Sequence, residues 1–124
     1  MDVLILERDK LIRDQILVGL QNFPEFAVDL GEGFGGLNMT KQKDYHCVVI
    51  GTNLQDDNGM ELVETFCQHE HESDLVLVTT TRRAKSHQSL RARYDVFSIL
   101  YAPLDPREFF RLVARLRRRG QPAA

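Results

Sequence analysis

Apolar residues along this chain follow two spacings, one typical of strands and one typical of helices. Five segments have a strand pattern, four of them as short apolar runs and one as alternating apolar and polar residues. These segments are VLIL (3–6), FAVDL (26–30), CVVI (47–50), LVLV (75–78) and VFSIL (96–100). The continuous runs predict strands that are buried on both faces of a sheet.

Helical spacing of apolar residues separates these predicted strands. Helices are predicted over residues 9–23, 36–43, 60–68, 84–94 and 105–119. The last of them opens with Asp105 as the N-cap and Pro106 at the first helical position, a combination that favours a helix start. The segment 36–43 follows a glycine-rich turn and predicts only a short helix, because glycines raise the cost of ordering a helix.

The alternation of strands and helices predicts an α/β fold. Buried strands that are each followed by a helix form a parallel sheet with helices on both faces. Right-handed crossovers leave few topologies at this size, and we predict the doubly wound, flavodoxin-like strand order 2-1-3-4-5. We expect one domain over residues 1–119, with residues 120–124 as a tail or the start of a linker.

Composition narrows the classes of function. The 124 residues carry a formal net charge of −2 and have a pI near 6.1, which exclude a strongly basic nucleic-acid binder. No apolar run is long enough to span a membrane and the amino terminus shows no export signal, so we expect a cytoplasmic protein. Cys47 and Cys67 are too few for a disulfide framework and have no zinc-binding spacing, and we predict no metal and no cofactor.

Three motifs suggest binding functions that their context disfavours. GEGFGG (31–36) has the dinucleotide-binding spacing, but it follows the second predicted strand and lacks the acid expected at the end of the next one. His69 and His71 lie two residues apart without the third and fourth ligands of a zinc site. The arginine-rich segment 111–119 complements the dipole at a helix C-terminus or continues into a linker. A DNA-binding patch is disfavoured, because four arginines at one helix end are not enough to read a DNA groove.

In a doubly wound sheet, function is expected beyond the carboxyl ends of the strands. The residues at these ends are Glu7 and Arg8 after the first strand, Gly51 after the third, Thr79 after the fourth, and Ala102 and Pro103 after the fifth. The loop that follows Gly51 adds two carboxylates, Asp56 and Asp57. These positions define the candidate site.

With these residues at the strand ends, the chain resembles the receiver domain of two-component response regulators from residue 2 to about residue 119. In that family an acidic pair after strand 1 holds magnesium, and an aspartate at the end of strand 3 accepts a phosphoryl group. A threonine or serine ends strand 4, and a lysine–proline pair, usually joined by a cis bond, ends strand 5. The acceptor lies eight residues before the glycine of a turn, and counting back from Gly59 reaches Gly51.

The resemblance implies a site that lacks residues needed for phosphotransfer. Glu7 and Thr79 match the first acid and the hydroxyl residue of the family. Arg8, Gly51 and Ala102 replace the second acid, the acceptor and the lysine. Phosphoryl transfer to a carboxylate needs a nucleophile, a divalent cation and a further cation on the phosphate oxygens. We therefore expect a pseudo-receiver that performs no phosphotransfer and is not an enzyme.

Two alternatives are open for Arg8. In the first, its guanidinium pairs with Glu7 or Asp56 and holds the acidic loops together at the place where the family binds magnesium. In the second, the Arg8 side chain points to solvent.

A receiver fold without the residues for phosphotransfer predicts a signalling domain that works through protein contacts. The expected surface consists of the predicted helix 84–94, the strand 96–100 and the helix 105–119, which the family commonly uses for dimerisation or docking. Its candidate residues are Arg91, Ile99, Tyr101, Arg111 and Arg115. By resemblance, we expect the regulatory input domain of a bacterial transcription regulator, with a protein partner or a second copy bound at this surface.

Two other functions remain open. One is a small-ligand sensor that binds a metabolite or nucleotide in the vacated pocket or at the glycine-rich loop. The other is an atypical phosphoacceptor that uses Asp56 or Asp57, although both lie in a loop and lack the fixed geometry that in-line attack needs.

Overall fold

The structure, a computed structural model, describes residues 1–52, 58–69, 72–80 and 92–119. Its strands are β1 (Asp2–Leu6), β2 (Ala27–Leu30), β3 (Cys47–Thr52), β4 (Asp74–Thr79) and β5 (Ser98–Tyr101). Its described helices are α1 (Lys10–Gln21), α2 (Gly33–Leu37), α3 (Met39–Gln42), α4 (Asn58–Gln68) and α5 (Pro106–Arg119). Most of the predicted helix 84–94 and the whole segment 120–124 lie outside the described residues.

All five strands pair in parallel in the order β2-β1-β3-β4-β5. This arrangement confirms the predicted fold class and strand order. Successive residues of a strand face opposite sides of the sheet, and here helices cover both sides. Val3 and Ile5 of β1 therefore join the core beneath α1 and α5, whereas Leu4 and Leu6 join the core beneath α2 and α4.

Helices α1 and α5 lie against each other at Gly19. A Cβ atom built on Gly19 would lie 2.3 Å from the ring of Phe109, which is buried in the core. The missing side chain therefore permits the close approach of the two helices. The other residues of α5 that face the core are those that the apolar spacing predicts, Leu112, Val113 and Leu116.

Strand β3 is longer than its apolar run. The ladder between β3 and β4 continues past Ile50, pairing Gly51 with Val78 and Thr52 with Thr79. Gly51 therefore lies within the last residues of the strand, where its backbone is held by the sheet, rather than in the loop that follows.

The second crossover is a broken helix that starts three residues earlier than predicted. Helix α2 begins at Gly33, whose φ of 53° is a left-handed conformation that favours glycine, and α3 follows it after Asn38. A Cβ atom built on Gly31 would lie only 2.7 Å from the Cα atom of Gly36. Close packing of the backbone thus explains these glycines of the GEGFGG motif without a bound nucleotide.

Candidate functional site

The carboxyl ends of the parallel strands meet at one edge of the sheet. There Thr52 of β3 pairs with Thr79 of β4. The backbone N–H of Ala102 donates a hydrogen bond of 2.9 Å to the carbonyl of Thr79. Glu7 directly follows β1, which pairs with β3 on the side away from β4, and therefore lies beside Gly51.

The Glu7 side chain fills the space in front of Gly51. Glu7 is buried, with 9% of its surface exposed. A Cβ atom built on Gly51 would lie 1.9 Å from Oε2 of Glu7, 2.4 Å from Cδ and 2.7 Å from Oε1. Because these distances are far below van der Waals contact, the Glu7 carboxyl in this position excludes any side chain at position 51.

The backbone of the loop between β1 and α1 holds the Glu7 carboxyl in place. The N–H of Asp9 donates a hydrogen bond of 3.0 Å to Oε1 of Glu7. The Asp9 carboxylate in turn caps α1 by accepting a hydrogen bond of 3.1 Å from the N–H of Ile12. Asp9 thus fixes both the start of α1 and the position of the Glu7 carboxyl.

Burial raises the pKa of Glu7 above its ordinary value, because desolvation disfavours the charged form. The nearby Asp9 carboxylate raises this pKa further. The backbone N–H groups of Asp9 and Arg8 and the positive charge of Arg13 lower it, but they offset the burial only in part. The site therefore contains a carboxyl group that gains a proton more readily than an exposed glutamate.

We expect Glu7→Gln to stabilise the protein at neutral pH. As the pH rises between the ordinary pKa of a glutamate and the raised pKa of folded Glu7, the unfolded chain loses its proton first, so the free energy of unfolding falls. A glutamine removes this fall and keeps an oxygen that accepts the hydrogen bond from Asp9. Melting temperatures are measured from pH 4 to pH 8. The melting temperature of Glu7→Gln should exceed that of the wild type at pH 7, and the two should converge at low pH.

The control for this measurement is Glu61→Gln, which makes the same change at an exposed position of α4. It should leave the dependence of melting temperature on pH as in the wild type. If Glu7→Gln and Glu61→Gln give the same profile, burial of Glu7 does not limit the stability of the domain.

Arg13 is a cation of the site that the sequence analysis missed. It lies one helical turn after Asp9 on α1, its charge lowers the pKa of Glu7, and its Nε atom is buried without a hydrogen-bond partner among the described residues. Arg8 itself is exposed, and its backbone N–H lowers the pKa of Glu7. Because Asp56 lies outside the described residues, the pairing of Arg8 with Asp56 stays a prediction.

The end of β5 retains the backbone geometry that the resemblance implies. The peptide bond between Ala102 and Pro103 is cis. Thr79 is buried beside it, with 6% of its surface exposed, and the hydroxyl of Thr52 donates a hydrogen bond of 3.3 Å to the carbonyl of Val78. This edge of the sheet is therefore held by backbone contacts and contains two buried threonines, Thr52 and Thr79.

The residues predicted for a protein-binding surface lie in different environments. Ile99 is half-buried against the core beneath α4, and Tyr101 is half-buried with its hydroxyl inside the structure. Arg111 is exposed on α5, whereas Arg115 donates a hydrogen bond of 3.2 Å to the carbonyl of Phe97. Arg91, like Asp56 and Asp57, lies outside the described residues.

A groove with a volume of about 1090 Å³ lies between the broken helix α2–α3 and α4, at the amino ends of β3 and β4. The side chains that line it include Phe34, Leu37, Tyr45, His46, Phe66 and His69. It lies far from the strand ends that carry Glu7 and Gly51, and it adjoins the helix that the GEGFGG segment forms. The groove is therefore a second candidate site, separate from the first.

Within the described ranges, three or more histidine, cysteine, aspartate or glutamate side chains nowhere converge to form a metal site. The described helices also include none with the length and apolar character needed to cross a membrane.

The fold can now be compared with those of known proteins. The chain matches no protein-family model, and no curated protein matches it in sequence. Solved structures do match along almost the whole chain. The response regulatory domain of protein mrkE from Klebsiella pneumoniae has a TM-score of 0.80 at 15% sequence identity, with 96% of this chain and 97% of that chain covered.

Two further structures give similar values. A LuxR-family DNA-binding response regulator from Staphylococcus aureus has a TM-score of 0.75 at 13% identity, covering 93% of this chain and 97% of that one. A redox sensor of streptococci, described as evolved from two-component response regulators, has a TM-score of 0.74 at 22% identity, covering 95% of this chain but 52% of that one. At these identities the likeness shows the fold. The chain has the fold of response-regulator receiver domains.

Proposed function

We propose that this chain is a receiver-like signalling domain that acts without phosphorylation, through contacts with proteins rather than catalysis. The observation that carries the proposal is the Glu7 carboxyl in front of Gly51. In a phosphorylated receiver, this space belongs to the acceptor carboxylate. Here the backbone at position 51 offers no nucleophile, and a neighbouring side chain takes up the space that one would need.

The other groups around Gly51 support the same conclusion. Magnesium requires several oxygen ligands at about 2.1 Å, and the residue next to Glu7 is an arginine instead of a second acid. Ala102 follows β5 where the family has a lysine that would neutralise phosphate oxygens. A phosphoryl group in this site would lack a bond to the protein, a metal ion and a fixed cation from β5.

The likenesses suggest a place for the domain in a longer regulator. The streptococcal redox sensor is about twice as long as the matched region, and the Staphylococcus aureus protein is a DNA-binding response regulator. We therefore propose that residues 1–119 are the cytoplasmic input domain of a transcription regulator and that 120–124 lead to an output domain. Its partner would be a protein or a second copy, bound at the surface that the sequence predicts from Arg91, Ile99, Tyr101, Arg111 and Arg115.

The test is the intact mass of the protein after incubation with Mg²⁺ and acetyl phosphate. We expect no added phosphoryl group, because residue 51 has no nucleophile. A receiver domain that carries the acceptor aspartate, the acidic pair and the lysine serves as the positive control under the same conditions. One added phosphoryl group on the wild-type chain would contradict the proposal, and peptide mapping would then examine Asp56, Asp57 and Glu7.

The groove beside α2 and α3 favours a second candidate function, the binding of a small ligand. Its lining combines aromatic rings with hydrogen-bonding groups such as Asn38 and Thr40, as ligand sites usually do. A ligand that binds the folded state raises the melting temperature. A panel of nucleotides and aromatic metabolites tested by thermal shift would support this function if Phe34→Ala, at an exposed position of the groove, abolished a shift that Leu11→Ala, an exposed position on α1, left intact.

A further inference from the structure

Helix α5 carries half of the lysine and arginine side chains in the described part of the chain. It contains six arginines and one glutamate, in a chain whose formal net charge is −2. Such a separation of charge within a small domain directs one face toward anionic partners. Which arginines are available for a partner depends on their contacts inside the domain.

Three of the six arginines are held by the domain itself. Arg115 stacks over the ring of Phe97 at 4.4 Å and donates a hydrogen bond to its carbonyl. Arg117 pairs with Glu25 and lies 5.3 Å from the centre of the Phe23 ring. Arg119 pairs with Asp74 at 3.1 Å. These side chains anchor α5 to the segments around the amino ends of the strands.

The other three, Arg107, Arg111 and Arg118, are exposed, and their guanidinium groups make no ion pair within the described part of the chain. With 3.6 residues per turn, these three positions lie within about 40° of one another around the helix and extend over about 16 Å along it. We call them the arginine stripe. They form a row of exposed cations along the outer face of α5.

The helix dipole does not account for this stripe. Cations are favourable near the C-terminus of a helix and unfavourable near its N-terminus. Arg118 lies in the last turn, but Arg107 lies in the first turn, where its backbone N–H donates to the capping Asp105 carboxylate at 2.9 Å. Arg111 lies between the two ends. The stripe is therefore explained neither by the helix dipole nor by an ion pair among the described residues.

An exposed aromatic ring adjoins the stripe. Half of the surface of Phe110 is exposed, and its ring packs edge-on against Phe23, at the α1 side of the stripe. Val18 on the neighbouring α1 is 60% exposed. An apolar contact bordered by arginines is typical of the centre of a protein interface, where aromatic residues and arginine contribute most of the binding energy.

We propose that the outer face of α5 binds an acidic segment of another protein, with carboxylates facing the arginine stripe and an apolar side chain packed on Phe110. The inference rests on the proposed function in one respect, that the domain acts through protein contacts, and it names the surface and the chemistry of the partner. In a second copy of this chain, no described helix carries more than two acidic side chains, so the described helices offer no row that matches three arginines. The outer surface of duplex DNA consists of phosphates and sugars and would leave Phe110 without an apolar contact.

Fluorescence anisotropy with a synthetic peptide tests the proposal. The probe is a labelled amphipathic helix with glutamates along one face and leucines on the adjoining face, and its companion has glutamine at every glutamate position. At 150 mM NaCl we expect the glutamate peptide to bind about tenfold more tightly than the glutamine peptide. The affinity should increase as the salt concentration falls, since exposed charges are screened.

The variants distinguish peptide binding by the arginine stripe from attraction by the net charge of the domain. Arg111→Glu should weaken binding of the glutamate peptide by about tenfold. Lys41→Glu makes the same change of charge at an exposed position of α3 and should weaken it by less than about twofold. Phe110→Ala should also weaken binding. Arg111→Gln provides a second variant if Arg111→Glu lowers the melting temperature.

Several outcomes would overturn the proposal. Equal losses in Arg111→Glu and Lys41→Glu would indicate attraction by net charge alone. Tighter, Arg111-dependent binding to phosphatidylserine vesicles or to duplex DNA would assign the stripe to lipid or nucleic acid. Self-association in sedimentation velocity that Arg111→Glu abolishes would assign it to a second copy. Phosphorylation of the wild type would remove the proposed function and leave the binding result unaffected, so the two failures are distinguishable.

Discussion

Replacing Gly51 with aspartate should destabilise the protein instead of restoring a phosphorylation site. The new Cβ atom alone would lie 1.9 Å from Oε2 of Glu7, so the Glu7 carboxyl must leave its place and its hydrogen bond from Asp9. We expect a loss of about 2–4 kcal/mol in the free energy of unfolding, because overpacking alone costs about 1–3 kcal/mol and a second carboxylate adds like-charge repulsion. Urea denaturation measures this loss.

Two matched variants show whether Glu7 is the cause. Gly35→Ala adds a side chain at a helical glycine with no atom within 4 Å of the new Cβ, and it should leave stability unchanged or slightly raised. The double variant Glu7→Ala/Gly51→Asp should recover most of the loss, because the space in front of position 51 is then empty. A single variant Gly51→Asp as stable as Gly35→Ala would show that Glu7 moves aside freely and does not close the site.

Replacing Phe109 with alanine should cost about 3–5 kcal/mol of unfolding free energy, the usual loss for a buried phenylalanine. The ring is 94% buried by the chain and fills the space that Gly19 leaves between α1 and α5. Loss of the ring leaves a cavity between the two helices that cover one face of the sheet. Urea denaturation of the wild type and the variant gives the difference.

The neighbouring residue is the natural control. Phe110 is half exposed and makes edge-on ring contacts with Phe23 and Phe109. Phe110→Ala should therefore cost clearly less than Phe109→Ala, because much less apolar surface is returned to water. Equal losses in the two variants would mean that α5 does not dock through Phe109. A small loss for Phe110→Ala also makes that variant a sound probe of partner binding.

The contacts divide the domain into an edge of the sheet that its own side chains fill and a helix face that is exposed. At the strand ends, Glu7 takes up the space of an acceptor and the loop backbone holds it there. On α5, the arginine stripe and Phe110 remain exposed. This arrangement supports the proposed function, in which the domain signals through partners that bind its surface.

The sequence by itself determined the architecture of this protein. The strands with continuous apolar runs had to be buried on both sides, because each run places apolar side chains on both faces of a strand, and this requires helices on both faces of a parallel sheet. The strand order followed from the few topologies that right-handed crossovers permit. The identity of residue 51 also came from the sequence, since a glycine has no nucleophile in any fold.

Only the tertiary structure decided how these residues meet. Glu7 and Gly51 are far apart in the chain, and the pairing of β1 with β3 brings the Glu7 carboxyl into the space in front of Gly51. Arg13 is close to Glu7 in the chain, but the effect of its charge on the pKa of Glu7 depends on the path of the chain from β1 into α1. In the arginine-rich helix, neighbours in sequence such as Arg117 and Arg118 have different roles, because only one of them faces an acid of the domain. Spacing along the chain specifies the face of a helix, but the packing of distant segments determines what that face contacts.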